Sequence, residues 1–367
     1  MHRDVHPFPF TYDEVTNHGI GTALAIKSAD PSAQISGPVI DYWWGYFYSM
    51  RDLWNGWSTG PCYEPWSDPT DREAHGGTPL IEYYLQQFNQ YSQLYGIRLL
   101  DYVDIHGYFA SDFPAGSSNS VAFTTAGDTQ EQLARMNSTR VFWDPTYTDP
   151  NYTQPNYPTD ANYTTSCTVP LQAPELIPTM KNWVANDYPG TKTAIDEYNF
   201  GGLESINGAV VQADILGIFG RQGLDLGAFW PAADYNQQIP SNYAFAMYRN
   251  YDGKDSLFGD NYLYATSTSG NADAEAQLAV YAAERNSDNA ITVMVINKTY
   301  GPLTSMLSLE NFTATKTAAQ VFQYSNANLN AIVPQAAATV TPPSQGGTTS
   351  TIAYTFPAQS ITLLVIP

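Results

Sequence analysis

Three short segments of the chain combine an apolar strand-like run with side chains that can do chemistry. They are Asp104-Ile105-His106-Gly107-Tyr108, Asp196-Glu197-Tyr198-Asn199 and Phe229-Trp230. In α/β barrels the functional residues stand at the carboxyl ends of the strands, so these segments predict one shared site. A carboxylate at such a strand end, like Glu197, is placed to attack an anomeric carbon as a nucleophile.

The neighbours of Glu197 fit that chemistry. Tyr198 and Asn199 can hydrogen-bond the carboxylate or the hydroxyl groups of a bound sugar. The alternative is a structural glutamate that pairs with a barrel Arg or Lys. The chain has only 15 Lys and Arg residues, which weakens this alternative without removing it.

Composition narrows the classes of partner. A formal net charge of -20 repels phosphate backbones and disfavours nucleic-acid binding. No run reaches the roughly 18 to 20 apolar residues that a membrane span needs. Aromatic residues make up 14% of the chain, with 27 Tyr and 8 Trp, and many stand beside Pro, Asn and Gly. Such rings suit stacking on sugar faces, while ordinary core packing is the alternative.

The elements that must position these residues divide into two regions. Up to about residue 253, helices and short apolar strands alternate, with strands near 35, 101, 194 and 226, which is typical of a parallel α/β sheet. Thr11-Tyr12-Asp13-Glu14 and Asp128-Thr129-Gln130-Glu131 have the pattern of helix capping boxes. Beyond about residue 255, short alternating runs predict an antiparallel β-sandwich. We therefore predict an α/β domain at 1–253 and an all-β domain at 254–367.

Several motifs together resemble glycoside hydrolase family 44. They are His2-Arg3-Asp4-Val5-His6-Pro7, Trp143-Asp144-Pro145-Thr146-Tyr147, Asp196-Glu197-Tyr198-Asn199-Phe200-Gly201-Gly202 and Ala213-Asp214-Ile215-Leu216-Gly217-Ile218-Phe219-Gly220-Arg221. The resemblance implies a (β/α)₈ barrel joined to a β-sandwich, and a retaining endo-β-1,4-glucanase or xyloglucanase. It implies that Glu197 is the nucleophile and that Trp230 stacks on sugar. Substrate contacts by Trp44, His106 and Tyr108 rest on strand-end location alone.

A second carboxyl group is absent from the pattern. A retaining glycosidase needs two carboxyl groups about 5 Å apart. In the family the acid/base is the Glu of an Asn-Glu-Pro motif on the fourth barrel strand, and this sequence contains no Asn-Glu-Pro. Four barrel strands and no signal peptide agree with that absence, although the other features point outside the cell. We therefore expect the second half of a barrel, whose partner is the N-terminal half that this sequence lacks.

Other carboxylates leave alternatives open. Glu14, Glu64, Glu73 and Asp104 have no motif that marks them as the acid, so we expect this polypeptide alone not to complete the two-step mechanism. A non-catalytic carbohydrate-binding protein is a second reading of the same aromatic loops. A neighbouring retaining family with the same plan of barrel and sandwich is a third. Cellulose, xyloglucan and xylan cannot be ranked as substrates, because the cleft depends on the absent strands.

No cofactor is required by this chemistry. The chain has no CxxC or HExxH pattern, and Cys62 and Cys167 are either a single disulfide or two free thiols. The family resemblance allows a structural calcium ion, for which Asp71 and Glu73 are only weak candidates.

Overall fold

The computed structural model describes residues 8–41, 43–59, 66, 68–108, 125–148, 173–231, 239–267 and 274–367. The chain forms two compact units. We call 1–118, 141–199 and 224–230 the parallel-sheet unit, and 119–140, 200–223 and 231–367 the antiparallel-sheet unit. Within the described ranges, the helices are too short or too polar to cross a bilayer.

The parallel-sheet unit contains one four-stranded parallel sheet in the order β1-β2-β3-β4. Its strands are β1 (Ser36–Ile40), β2 (Tyr102–His106), β3 (Lys192–Tyr198) and β4 (Leu226–Phe229). Its helices are α1 (Tyr12–Ala29), α2 (Met50–Thr59), α3 (Thr70–Ala74), α4 (Leu80–Tyr95) and α6 (Leu176–Asp187), with a 3₁₀ turn at Trp43–Tyr46. These strands lie at the four predicted positions, so the prediction of a parallel α/β sheet is confirmed.

Helix α1 illustrates how local sequence starts an element and tertiary contact places it. The Thr11 hydroxyl accepts a hydrogen bond from the Glu14 N–H at 3.3 Å, which confirms this predicted N-cap. Gly19 faces α4, and a Cβ there would lie 3.0 Å from the Tyr84 hydroxyl and 3.2 Å from the Phe88 ring. A small residue is therefore what allows α1 and α4 to pack this closely.

The antiparallel-sheet unit contains helices as well as sheets. Its helices are α5 (Thr129–Ser138), α7 (Ile206–Gln222), α8 (Pro240–Arg249) and α9 (Ala274–Gln277). Its strands are β5 (Asn261–Leu263), β6 (Leu278–Glu284), β7 (Ile291–Asn297), β8 (Leu303–Leu309), β9 (Ala318–Ser325), β10 (Asn328–Thr339), β11 (Ser350–Phe356) and β12 (Ser360–Ile366). The sheets have the orders β10-β9-β12-β7-β6-β5 and β11-β8, and all their pairs are antiparallel.

The six-stranded sheet is covered on both faces. One face shares a hydrophobic core with the two-stranded sheet, through residues such as Val295, Leu364 and Ile352. The other face packs against α7 and α8, where Gly217 of α7 meets the Tyr281 ring. Strands β6 and β12 are consequently buried nearly throughout. The predicted alternation of buried and exposed residues is wrong for these strands, because the sequence pattern did not include the covering helices.

The compact units do not divide at residue 253. Helices α7 and α8 pack with the antiparallel sheets, although they follow strands of the α/β region in the chain. The domain limits 1–253 and 254–367 stay a prediction, and the antiparallel-sheet unit contains residues from both sides of residue 253.

Candidate active site

Strand β3 carries Glu197 to the edge where the parallel strands end. The register between β2 and β3 pairs Ile105 with Ile195 and then His106 with Glu197, which leaves Asp196 as one extra residue on β3. Such a β-bulge bends the strand and re-aims its side chains, and bulges occur often beside active sites. The bulge thus determines what Glu197 faces.

Two side chains from the end of β2 contact the Glu197 carboxylate. The Tyr108 hydroxyl donates a hydrogen bond to Glu197 Oε2 at 2.7 Å, and His106 Nδ1 lies 3.3 Å from the same oxygen. Glu197 is 28% exposed. Burial and the bond to Glu197 raise the pKa of Tyr108 well above its usual value, so the phenol stays protonated and donates. Both contacts fall on one oxygen, which orients the carboxylate.

His106 also faces a second carboxylate. Its Nε2 lies 3.3 Å from Asp196 Oδ1, and both atoms are buried without a hydrogen-bond partner among the described residues. Burial raises the pKa of Asp196, and His106 opposes that rise. The imidazole is therefore shared between two consecutive residues of β3.

Asp104 lies behind this pair, on β2. Its Oδ1 accepts the Asp196 N–H at 3.2 Å, and its Oδ2 accepts the Ser36 hydroxyl. Burial, with a smaller contribution from the charge of Asp196, raises the pKa of Asp104 to about 6. Through the Asp196 N–H, Asp104 holds the backbone of β3 at the bulge.

Trp230 follows β4 and remains accessible. Its N–H donates to the Tyr198 carbonyl oxygen at 3.0 Å, and its own carbonyl oxygen accepts from Asn199 Nδ2 at 2.7 Å. The side chain is 43% exposed. These backbone contacts tie Trp230 to the segment that follows Glu197, and its ring face can receive an apolar ligand surface.

Two predicted substrate contacts have different surroundings from those expected. Tyr198 is 1% exposed, with its ring 5.7 Å from that of Phe229. It cannot touch a sugar as placed, which corrects its predicted role. Trp44 is 8% exposed and packs against the rings of Phe47 and Trp66. It offers little free ring face, and its substrate contact stays a prediction.

The four alternative acids differ in location. Glu14 begins α1, Glu73 lies in α3, and Glu64 lies outside the described residues. Asp104 is buried and engaged with Ser36 and Asp196. Among the described residues, Glu197 is the glutamate that His106 and Tyr108 contact.

The predicted metal and disulfide features gain no support. The described residues contain no group of three or more His, Cys, Asp and Glu side chains that could hold a metal ion. Asp71 instead accepts the Tyr12 N–H at 3.0 Å and lies 3.6 Å from His75. Cys62 and Cys167 both lie outside the described residues.

Comparisons with known proteins agree with the resemblance. The model of glycoside hydrolase family 44 matches residues 1–111. The chain is 31% identical over 304 residues to beta-mannanase/endoglucanase A of Caldicellulosiruptor saccharolyticus, which covers 82% of this chain and 20% of that protein. The crystal structure of CelM2, a bifunctional glucanase-xylanase from a metagenome library, is 39% identical with a TM-score of 0.81. The chain is thus similar to glycoside hydrolase family 44.

A further family 44 structure has a named polysaccharide. The xyloglucanase of Paenibacillus polymyxa, solved with xyloglucan, is 25% identical with a TM-score of 0.74, covering 100% of this chain and 63% of that chain. For the glucanase-xylanase the shares are 100% and 62%. The chain thus spans less than two thirds of these two proteins, and what the whole enzymes do comes to it only by proposal.

The structure places His106 and Tyr108 against Glu197 and Trp230 after the neighbouring strand, while the segments that contain Asp104 and Asp196 were named without a role for either residue beside His106. The available signal was the consecutive Asp196-Glu197 pair at a strand end. In a regular strand these two side chains would face opposite ways, so only the bulge brings both to His106.

Proposed function

We propose that this chain is the nucleophile-bearing part of a retaining, endo-acting glycoside hydrolase of β-1,4-glucans. The observation that carries the proposal is the Glu197 carboxylate, held through Oε2 by Tyr108 at 2.7 Å and His106 at 3.3 Å. Both of these contacts fall on Oε2, so we assign the attack to the other oxygen. Oε1 is the atom that attacks the anomeric carbon.

The reaction has two steps. Attack by Glu197 forms a glycosyl ester while the glycosidic C–O bond breaks, and the leaving oxygen takes a proton from a general acid. Water then attacks the ester, gives a proton to the same group, and releases both the sugar and the Glu197 carboxylate. The chain lacks an Asn-Glu-Pro motif, so we assign the acid/base to a segment outside the described residues, the N-terminal half of the same barrel.

The fold supports the same assignment. The four parallel strands follow one another in sheet order, as successive strands of a (β/α)₈ barrel do. We take them as the second half of such a barrel and the C-terminal sheets as a β-sandwich. Relatives named endoglucanase, xyloglucanase and glucanase-xylanase support β-glucans as substrate. Polysaccharides of this size place the action outside the cell.

A substrate with a good leaving group tests the nucleophile without the acid. We expect 2,4-dinitrophenyl 2-deoxy-2-fluoro-β-cellobioside to release one dinitrophenolate per chain, because this anion departs without protonation. Mass spectrometry should then find the fluorocellobiosyl group on the peptide that contains Glu197. Glu197→Gln should give neither release nor adduct. An adduct elsewhere, or equal release by Glu197→Gln, would refute the assignment.

Assays on polymers separate the remaining readings. Carboxymethylcellulose and xyloglucan need protonation of the leaving group, so the chain by itself should turn them over at least about a thousandfold more slowly than complete family 44 enzymes. Turnover at ordinary glycosidase rates would contradict the absent acid. Binding of xyloglucan without any adduct from the activated glycoside would favour the non-catalytic binding protein.

A further inference from the structure

Strand β3 has one residue more than either of its neighbours in the segment between Ile195 and Tyr198. In the register with β2 the extra residue is Asp196. In the register with β4, three steps along β3 correspond to two steps along β4. Because both ladders shift in the same segment, the bulge belongs to β3 itself.

The bulge decides which face of the sheet Glu197 occupies. Residues opposite each other in neighbouring parallel strands share a face, and successive residues alternate between faces. With the extra residue, Glu197 lies opposite His106 and meets Tyr108, whose hydroxyl donates to Glu197 Oε2 at 2.7 Å. In a regular ladder Asp196 would lie opposite His106, and Glu197 would lie opposite Gly107 on the other face. The contact between Tyr108 and Glu197 therefore depends on the bulge.

The extra residue of a bulge is left unpaired in the ladder, so its backbone needs another partner. The Asp196 N–H donates to Asp104 Oδ1 at 3.2 Å. Regular pairing resumes beyond it, where the Gly107 N–H donates to the Glu197 carbonyl oxygen at 2.7 Å. Asp104 is 3% exposed, which leaves water little access to this position. The Asp104 carboxyl group thus supplies the acceptor that the bulge requires.

Asp104 is itself fixed by a third strand. Its Oδ2 accepts the Ser36 hydroxyl of β1, so one carboxyl group on β2 joins β1 to β3. Burial raises the pKa of Asp104 to about 6, which means that its carboxylate is unfavourable in this place at neutral pH. An apolar side chain would avoid that cost, but it could not accept the Asp196 N–H.

We propose that Asp104 is a positioning residue, whose carboxyl group holds the extra residue of β3 and thereby keeps Glu197 on the face of Tyr108. It acts through the backbone of β3 and has no contact with the sugar. The benefit for catalysis rests on the proposed function of Glu197 as the nucleophile. The hold on the bulge rests on the backbone contact and is independent of that function.

Two substitutions at Asp104 separate the acceptor from the charge. Asp104→Asn keeps a side-chain oxygen for the Asp196 N–H, whereas Asp104→Leu has a similar size and no acceptor. In the full chain with 2,4-dinitrophenyl 2-deoxy-2-fluoro-β-cellobioside, Asp104→Leu should lower the saturating rate of adduct formation about tenfold or more, because Glu197 is misplaced. The glycoside concentration that gives half of this rate should change less than about twofold. Asp104→Asn should recover most of the rate.

The kinetic result has two contrary outcomes. A folded Asp104→Leu variant that forms the adduct at the wild-type rate would overturn the proposal. So would a loss confined to the half-saturating concentration, since a misplaced nucleophile lowers the rate at saturation.

Asp225 provides a matched control on the same strand. Its Oδ2 accepts the Thr193 N–H at 2.9 Å and the Thr193 hydroxyl at 3.2 Å. It is therefore also an aspartate that holds the backbone of β3, but before the bulge. Asp225→Leu should leave the saturating rate within about twofold of the wild type. An equal loss of rate in Asp225→Leu would show a general loosening of β3 and would overturn the specific role of Asp104.

Hydrogen exchange tests the hold on the bulge without any substrate. In the full chain labelled with ¹⁵N-aspartate, the amide signal that Asp196→Asn removes belongs to Asp196. This amide should be protected in the wild type and should lose about tenfold or more of its protection in Asp104→Leu. Asp104→Asn should keep most of the protection.

The wild-type exchange decides the proposal even if Asp104→Leu fails to fold. An Asp196 amide that exchanges like an unprotected one in the wild type would overturn it. If the wild type forms no glycosyl adduct, the proposed function of Glu197 fails, and the exchange of the Asp196 amide still decides whether Asp104 holds the bulge.

Discussion

Among the described residues, one carboxylate cluster from each unit can be compared, and the two are satisfied in different ways. Asp214 of α7 accepts hydrogen bonds from Tyr281 at 2.7 Å, Thr139 at 2.7 Å and Lys298 at 2.9 Å. Its side chain and that of Lys298 are 1% and 3% exposed. Every charge here has an opposite charge or a donor, as a structural network in a water-free interior requires.

The carboxylates around His106 form the contrasting group. Asp104, Asp196 and Glu197 are three acidic side chains around one imidazole, and the pKa values of Asp104 and Asp196 are raised chiefly by burial. Such a cluster costs stability and is typical of sites that act on a ligand. The comparison therefore separates a carboxylate that stabilises its unit from carboxylates kept for chemistry.

We expect the largest change in stability when Lys298, the counter-ion of Asp214, is removed. Lys298→Met should lower the free energy of unfolding by about 3 to 5 kcal/mol, because it leaves a buried carboxylate without its cation. Urea unfolding followed by circular dichroism measures the change. The double variant with Asp214→Leu should recover much of the loss. A single-variant loss below about 1 kcal/mol would show that the network is not structural.

Asp104→Asn should raise the free energy of unfolding, which is the opposite of the change expected for Lys298→Met. The folded pKa of Asp104 is about 6 against an ordinary value of 3.8, so the folded state binds its proton more tightly than the unfolded chain. The stability associated with this group is present at low pH and is lost as pH rises from about 4 through 6. That loss amounts to about 3 kcal/mol at neutral pH.

The measurement compares two pH values. Asn keeps an oxygen for the Asp196 N–H, so Asp104→Asn should raise the free energy of unfolding by up to about 3 kcal/mol at pH 8 and change it little at pH 4. Asp214→Asn, the matched change in the other group, should be destabilising at pH 8. If both variants change the free energy of unfolding in the same direction at pH 8, the distinction between the two carboxylate clusters is wrong.

Two tyrosines give a smaller and more specific comparison. Tyr281→Phe removes a donor to buried Asp214 and should cost about 1.5 to 3 kcal/mol of stability. Tyr108→Phe removes a donor to the partly exposed Glu197 and should cost below about 1 kcal/mol. It should nevertheless slow formation of the fluorocellobiosyl adduct about tenfold or more. Unfolding curves measure the two losses of stability, and the rate of dinitrophenolate release measures adduct formation. A larger loss of stability for Tyr108→Phe than for Tyr281→Phe would contradict the assignment of roles.

The smallest effect belongs to an exposed ion pair. Asp13 is 69% exposed where it meets His75, so Asp13→Asn should change stability by about 0.5 kcal/mol or less. A larger loss of stability in the same unfolding assay would show that an exposed ion pair also contributes strongly. The difference between the two carboxylate clusters would then depend less on burial.

Local signals predicted much of the fold. Thr11 and Asp128 cap the helices that their side chains and the following glutamates indicate, because capping depends on residues three apart. The four parallel strands lie where short apolar runs occur. Convergence of His106, Tyr108 and Glu197 followed from the rule that parallel strands end at one edge. The burial of Tyr198 was not predicted, since it depends on what packs against Phe229.

The sequence by itself determined the strand ends, the capped helices and the carboxylate at Glu197, because each depends on residue type and short-range spacing. Tertiary structure alone decided that Asp196 and Glu197 share His106, since a one-residue shift in register between β2 and β3 reverses which face a side chain occupies. It also decided that Lys298 finds Asp214 across 84 positions of the chain. Such pairings depend on where whole strands and helices pack, which no local pattern contains.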